Sequence, residues 1–204
     1  MNIIIAAVGG QGALLAARVV GQYALSQSWQ VKVSEIHGMS QRGGSVVTHV
    51  RYGPEVHSPV IEVGTADILL GFELLEAARA IHYLRPGGLM VVSKQQIQPL
   101  PVLTGAAVYP PTLLQSFEQM AISTYGVDAL SCANQIGNIK VVNTVLLGVL
   151  ARRISDNTDV WRKAVEACVP AKHRELNQKA FDMGYALDFS ATDNRRKEQK
   201  EVVS

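Results

Sequence analysis

The chain has 204 residues, 48% of them apolar and 18% charged, enough apolar side chain for one hydrophobic core or two small ones. Nineteen Lys and Arg against 17 Asp and Glu leave a net charge of +2, and residues 191–204 alone hold four of the bases and three of the acids, so the body carries no footprint for nucleic acid. The only two cysteines, Cys132 and Cys168, are too few for an iron–sulfur cluster, which takes about four thiolates. One possible pair without a secretion signal points to a reducing cytoplasm and two ordinary thiols.

Ile3–Val8 is a continuous apolar, β-branched run, as expected for a strand covered on both faces of a parallel sheet. It runs into Gly9-Gly10-Gln11-Gly12 and then Ala13–Leu25, whose single charge is Arg18, which reads as a buried helix. The N-terminus lacks the basic region of a signal peptide. Gln30–Glu35 and Ser45–Arg51 alternate as strands, joined by a polar, glycine-rich loop, Ile36–Gly44. Asp67–Phe72 (strand), Glu73–Tyr83 (helix), Arg85–Gly88 (turn) and Leu89–Ser93 (strand) make a further β-α-β unit.

Pro110-Pro111 is expected to stop a short strand at Ala106–Tyr109 and to start a helix over Thr112–Tyr125, ended by Gly126. Val127–Cys132 then reads as a strand and Lys140–Arg153 as an apolar helix. Two helices close the pattern, Asp159–Val169 capped by Thr158, and Pro170–Leu187 with Leu176, Ala180, Met183, Gly184 and Leu187 on one face. The longest apolar stretch in this half, Val141–Ala151, is about half the ~20 residues a membrane span requires. The whole predicts one three-layer α/β domain over residues 1–190, with a mostly parallel, Rossmann-like sheet and C-terminal helices, followed by a charged, disordered tail at 191–204.

Two segments are candidates for chemistry. Gly9, Gly10, Gln11 and Gly12 open the first helix, where unpaired N–H groups and the helix dipole favour an anion by roughly 0.3–1 kcal/mol. The dinucleotide fingerprint G-x-G-x-x-G would need glycine at Ala7, so the glycines equally suit a tight turn that only lets strand and helix pack closely. The second segment, Glu35-Ile36-His37-Gly38-Met39-Ser40-Gln41-Arg42-Gly43-Gly44-Ser45, with His37–Gly44 as its candidate site residues, is long for a connection in an open sheet, and such loops are usually functional when ordered. Arg42 offers a planar donor fork to a carboxylate or phosphate, and Gly43-Gly44 permit close backbone approach. The bland alternative is a mobile loop with a solvated arginine. Both segments are expected at the carboxyl ends of the strands.

His37, His49 and His57 do not have zinc spacing, and His49 shares a strand face with Arg51, so no metal site is expected. His82 and His173 read as surface histidines. No nucleophile elbow, Ser/His/Asp order or close carboxylate pair is present, and no catalytic residue is assigned.

Val8–Gly12 together with Glu35-Ile36-His37-Gly38-Met39-Ser40-Gln41-Arg42-Gly43-Gly44-Ser45-Val46 resembles the gamma domain of the 2-oxoacid:ferredoxin oxidoreductases, most nearly the beta subunit of the indolepyruvate enzymes. The likeness extends through Arg85–Gly88, Asn143–Gly148 and Lys172–Gly184, and so covers nearly all of the chain before the tail. The resemblance implies a subunit of an enzyme that oxidatively decarboxylates a 2-oxoacid to an acyl-CoA. Thiamine diphosphate and [4Fe–4S] clusters would sit on a large alpha subunit, with ferredoxin as electron acceptor. This chain would help to enclose substrate or CoA, Gly9–Gly12 and His37–Gly44 facing the partner's active site, with Arg42 on an anionic group. A pyruvate- or branched-chain-type gamma subunit, and a stand-alone nucleotide- or flavin-binding module, remain open as alternatives.

Overall fold

A computed structural model describes residues 1–38, 43–155 and 157–189. Six strands form one sheet in the order β2-β3-β1-β4-β5-β6. These are β1 (Asn2–Val8), β2 (Gln30–His37), β3 (Ser45–Gly53), β4 (Ala66–Gly71), β5 (Leu84–Ser93) and β6 (Ser123–Val127). β1, β4, β5 and β6 pair in parallel, while β3 runs antiparallel to both its neighbours. The expected α/β domain with a largely parallel sheet is therefore present, and β3 alone breaks the parallel rule. Because β3 begins where β2 ends, their connection lies at the carboxyl edge of the sheet, beside the end of β1.

Ile3, Ile4, Ile5, Ala6 and Ala7 are fully buried, as their unbroken apolar run requires in a central strand. One face of the sheet carries the larger core, under α1 (Ala13–Ser26), α5 (Ala129–Ile136), α6 (Val142–Ile154), α7 (Thr158–Cys168) and α8 (Arg174–Ala186). The opposite face carries a thinner layer from α2 (Leu74–Ala80) and α4 (Leu113–Glu118), with Ile61 and Phe117 in its core. Between β5 and α4 lies only the four-residue α3 (Leu100–Leu103). An aromatic cluster ties α1 to α7: Trp161 stacks on Tyr23 at 4.1 Å, and Trp29 stacks on Tyr52 at 5.2 Å with Tyr23 edge-on to both. α6 and α8 cross in close contact at Gly148 and Gly184.

The region from 85 to 136 departs from expectation. Arg85–Gly88 is not a free turn but a bulge within β5, where Ala66 pairs with Leu84 and Ile68 already pairs with Leu89. No strand forms at Ala106–Tyr109. The helix expected over Thr112–Tyr125 ends at Glu118, and Ser123–Val127, including Gly126, is the parallel edge strand β6. Val127–Cys132 is not a strand, because Asp128 accepts from Ser131 N–H at 3.1 Å and starts α5. α7 is capped by Asn157, which accepts from Val160 N–H, rather than by Thr158. Among the described residues no helix is long and apolar enough to cross a membrane.

Candidate functional site

The carboxyl edge of β1 leads directly into the glycine turn. Gly10 and Gly12 have φ of +102° and +85°, the left-handed region that favours glycine. Gly12 is the N-cap of α1, and its carbonyl accepts the first helical hydrogen bond, from Ala16. Gly12 has no side chain to cap the helix and no acid occupies its first turn, so among the described residues its N-terminal donors and dipole are left to a ligand or solvent.

Gln11 has another task. Its Oε1 accepts from Val8 N–H at 2.7 Å, and its Nε2 donates to the carbonyl of Phe72 at 3.2 Å and to Gln95 Oε1 at 3.3 Å. The carboxamide thus joins the ends of β1, β4 and β5. A β-carbon on Gly12 would lie 2.5 Å from Asn143 Nδ2, so the missing side chain is what lets the start of α6 pack against the turn. Asn143 is buried, and the polar chain continues through Thr144, whose hydroxyl donates to Asn177 Oδ1 at 2.7 Å.

The second expected segment meets the first. Gly9 N–H donates to the carbonyl of Gly44 at 2.8 Å, and Gly43 N–H donates to the carbonyl of Gly9 at 3.3 Å. His37 ends β2 with its side chain 44% exposed, and Gly38 follows it at the surface. Met39, Ser40, Gln41 and Arg42, the predicted anion-binding arginine among them, lie outside the described residues.

Between the two segments is a cavity of about 450 Å³, lined by Val8, Gly9, Gly10, Gly12, Ala13, Leu14, Glu35, His37 and Val46. Three of the four glycine-turn residues and one loop residue therefore share one wall system. Asn143 and Gln95 were not among the sites expected from sequence, and Glu35 stood at the head of the second candidate segment without a role of its own. The signals were available: Glu35 and His37 stand where β2's alternation calls for apolar residues, and Asn143 is a lone amide opening an apolar helix.

The three clustered histidines separate in space. His57 is exposed beside Glu55, His37 lies 3.8 Å from Glu35, and His49 is buried, with Nδ1 accepting from Ile61 N–H at 3.0 Å. Among the described residues no group of three or more His, Cys, Asp or Glu could hold a metal ion. Cys132 and Cys168 sit on separate helices, and burial raises the pKa of both thiols. Such a donor set does not fit an iron–sulfur cluster.

The chain matches the family described as Pyruvate ferredoxin/flavodoxin oxidoreductase over residues 2–187. It is 38% identical over 190 residues to the indolepyruvate oxidoreductase subunit IorB of Thermococcus kodakarensis, covering 90% of this chain and 93% of that one. The keto/oxoacid ferredoxin oxidoreductase gamma subunit from Geobacter sulfurreducens shares the fold, with a TM-score of 0.67 at 24% identity over 90% of this chain and 95% of the other. So does the 2-oxoglutarate:ferredoxin oxidoreductase from Magnetococcus marinus, solved with 2-oxoglutarate, coenzyme A and succinyl-CoA bound. Its TM-score is 0.69 at 17% identity, with 91% of this chain matched to 30% of that longer one. With a family match across nearly its whole length, this chain belongs to the pyruvate ferredoxin/flavodoxin oxidoreductase family, as a gamma-type subunit of the 2-oxoacid:ferredoxin oxidoreductases.

Proposed function

We propose that this chain is the non-cluster subunit of a cytoplasmic, ferredoxin-dependent oxidoreductase acting on indolepyruvate or a related arylpyruvate. It would complete the active-site enclosure of a large alpha subunit that carries thiamine diphosphate and [4Fe–4S] clusters. The observation that carries this reading is the uncapped start of α1, opening on a cavity that the glycine turn and the end of β2 both line. That arrangement suits an anionic group of CoA at Gly9, Gly10 and Gly12, with Gln11 holding the turn from behind. The loop His37–Gly44 then faces the partner's active site, and Arg42 supplies the cation for an anionic group of CoA or the oxoacid. Such an enclosure excludes water from a reactive intermediate, which suppresses side reactions. The preference for an arylpyruvate is supported by the identity to IorB. We assign this role to a gamma-type domain of residues 1–190, with 191–204 as a charged tail.

The test is co-expression with the large subunit, followed by indolepyruvate- and CoA-dependent reduction of ferredoxin or viologen. Indolepyruvate should give the highest kcat/KM among indolepyruvate, pyruvate and a branched-chain oxoacid; a higher value for either rival would reassign the substrate. Arg42→Ala should raise the KM for CoA or oxoacid about tenfold, in keeping with one lost charge-assisted hydrogen bond. Unchanged kinetics in an intact complex would remove that loop from the site. The isolated chain should carry no flavin or nucleotide on purification; a stoichiometric chromophore would favour a self-sufficient binding module.

A further inference from the structure

We propose that residues 97–109, a strap clamped at its base by Glu73, form a preformed docking surface for an uncharged, apolar face of the large subunit. This assignment rests on the subunit reading above and gives the contact a place and a chemistry.

No Asp, Glu, Lys or Arg occurs from 95 to 117, where the chain's 18% would place about four. Most of residues 96–112 are nevertheless exposed. Leu100, Leu103 and Val108 are 72%, 66% and 87% exposed. Leu100 and Leu103 bracket α3, and Ala107 N–H donates to the carbonyl of Pro101 at 3.0 Å, which brings Val108 back to that helix. Large apolar side chains gathered on a surface without charge have the composition of an interface core, where charged residues are depleted.

The strap is held in shape. Glu73 is buried, and its Oε1 accepts from Ile97 N–H at 3.1 Å and from the Tyr109 hydroxyl, so one carboxylate oxygen joins both ends. Its Oε2 accepts from Glu76 N–H at 2.8 Å and caps α2, which fixes the carboxylate on the sheet's own framework. The Tyr109 hydroxyl also accepts from Leu75 N–H at 3.2 Å. Burial and the Glu73 carboxylate push the Tyr109 pKa above the ordinary phenol value, so the hydroxyl remains a donor. Pro99, Pro101, Pro110 and Pro111, half of the chain's eight prolines, stiffen the same stretch. A surface already ordered before binding loses less conformational entropy when a partner arrives.

Position selects the occupant. The strap follows β5, which runs parallel with β4 and β1, so it stands at the carboxyl edge with the glycine turn. Gln95, two residues before the strap, accepts from Gln11 at 3.3 Å and makes the two features one continuous face. A second copy on the strap would set two carboxyl edges against each other and close the glycine-turn cavity to a third chain. The large subunit reaches strap and turn together.

A dilution series of the complex purified with the large subunit, read by mass photometry, tests this. Leu103→Asp and Val108→Asp should each raise the dissociation constant about thirtyfold or more, as loss of an interface anchor does. Both side chains are exposed, so the core is untouched. Tyr109→Phe, which removes only the clamp's hydroxyl, should raise it about fivefold. Val63→Asp, at the opposite edge of the sheet and with Val63 65% exposed, should stay within twofold of wild type. An equal loss from Val63→Asp overturns the assignment, as does a homodimer of the isolated chain that Leu103→Asp dissolves. If wild type assembles and both strap variants bind within twofold of it, the subunit reading stands and the strap alone is misassigned. If wild type forms no complex, the subunit reading fails and takes this assignment with it.

Discussion

His49, in the middle of β3, is 1% exposed and accepts from Ile61 N–H through Nδ1, so its proton belongs on Nε2, which has no hydrogen-bond partner in the interior. Burial holds its pKa below the ordinary value of 6.5. The folded state resists a proton that the unfolded chain accepts, so this residue costs no stability above pH 6.5 and takes stability away as pH falls below it. Urea midpoints at pH 7.5 and 5.5 should show a larger acid drop for wild type than for His49→Gln; equal drops would mean that another group controls the acid limb. His49 also shows where sequence falls short for single residues. Alternation correctly places it on a strand face with Arg51, but only the return of residues 54–65 over that face, with Ile61 against the ring, makes it buried. The glycine turn and Gly43-Gly44 were legible because glycine has few uses besides backbone geometry. Gln11 was legible as part of the turn but not as its anchor, since Phe72 and Gln95 are far away in the chain.

At the scale of elements, the crossing of α6 and α8 is set by two missing side chains. A β-carbon on Gly184 would stand 2.0 Å from the carbonyl oxygen of Val145, and one on Gly148 would stand 2.1 Å from that of Phe181. The obstacles are backbone atoms, which cannot rotate aside, so Gly184→Ala must push the helices apart. It should cost about 3 kcal/mol, the upper end for overpacking, and lower Tm by roughly 6–12 °C in a chain of this size. A melting curve that matches wild type would show that the crossing is looser than these contacts require. Elements bounded by strong local chemistry were readable: β1 by its apolar run, α1 by its glycines, α6 by its length. β6 was misread because five residues, Ser123–Val127, follow an apolar helical start and take their strand form from pairing with β5. α5 was misread despite Asp128 at its start and Gly137, with φ of +90°, at its end, a bracket that sequence does contain.

Over the whole molecule, the two helical layers differ greatly in thickness, and the larger one holds both tryptophans in a single aromatic cluster. Trp29 precedes β2 and Trp161 lies in α7, so their shared environment needs the N-terminal strands and the C-terminal helices at once. Denaturant unfolding followed by tryptophan fluorescence and by far-ultraviolet circular dichroism should give coincident midpoints, as one cooperative unit demands. An earlier fluorescence midpoint would reveal that α7 leaves the sheet before the rest unfolds. The overall class was legible because alternating strands and helices permit few architectures. The antiparallel β3 was not, since strand direction depends on where a connection crosses and leaves no mark on composition.

The carboxamide of Gln11 has a consequence for the order of events during synthesis. The turn it stabilises is complete after twelve residues, yet its bonds reach partners 61 and 84 positions later. Contacts of such separation form only after the intervening chain has closed, which places them late on the folding route. A nascent chain that has not yet delivered Gln95 presents the glycines without their final shape. The final shape of the turn therefore arises only after β4 and β5 have joined the sheet, at a late stage of the chain's own assembly rather than at its beginning.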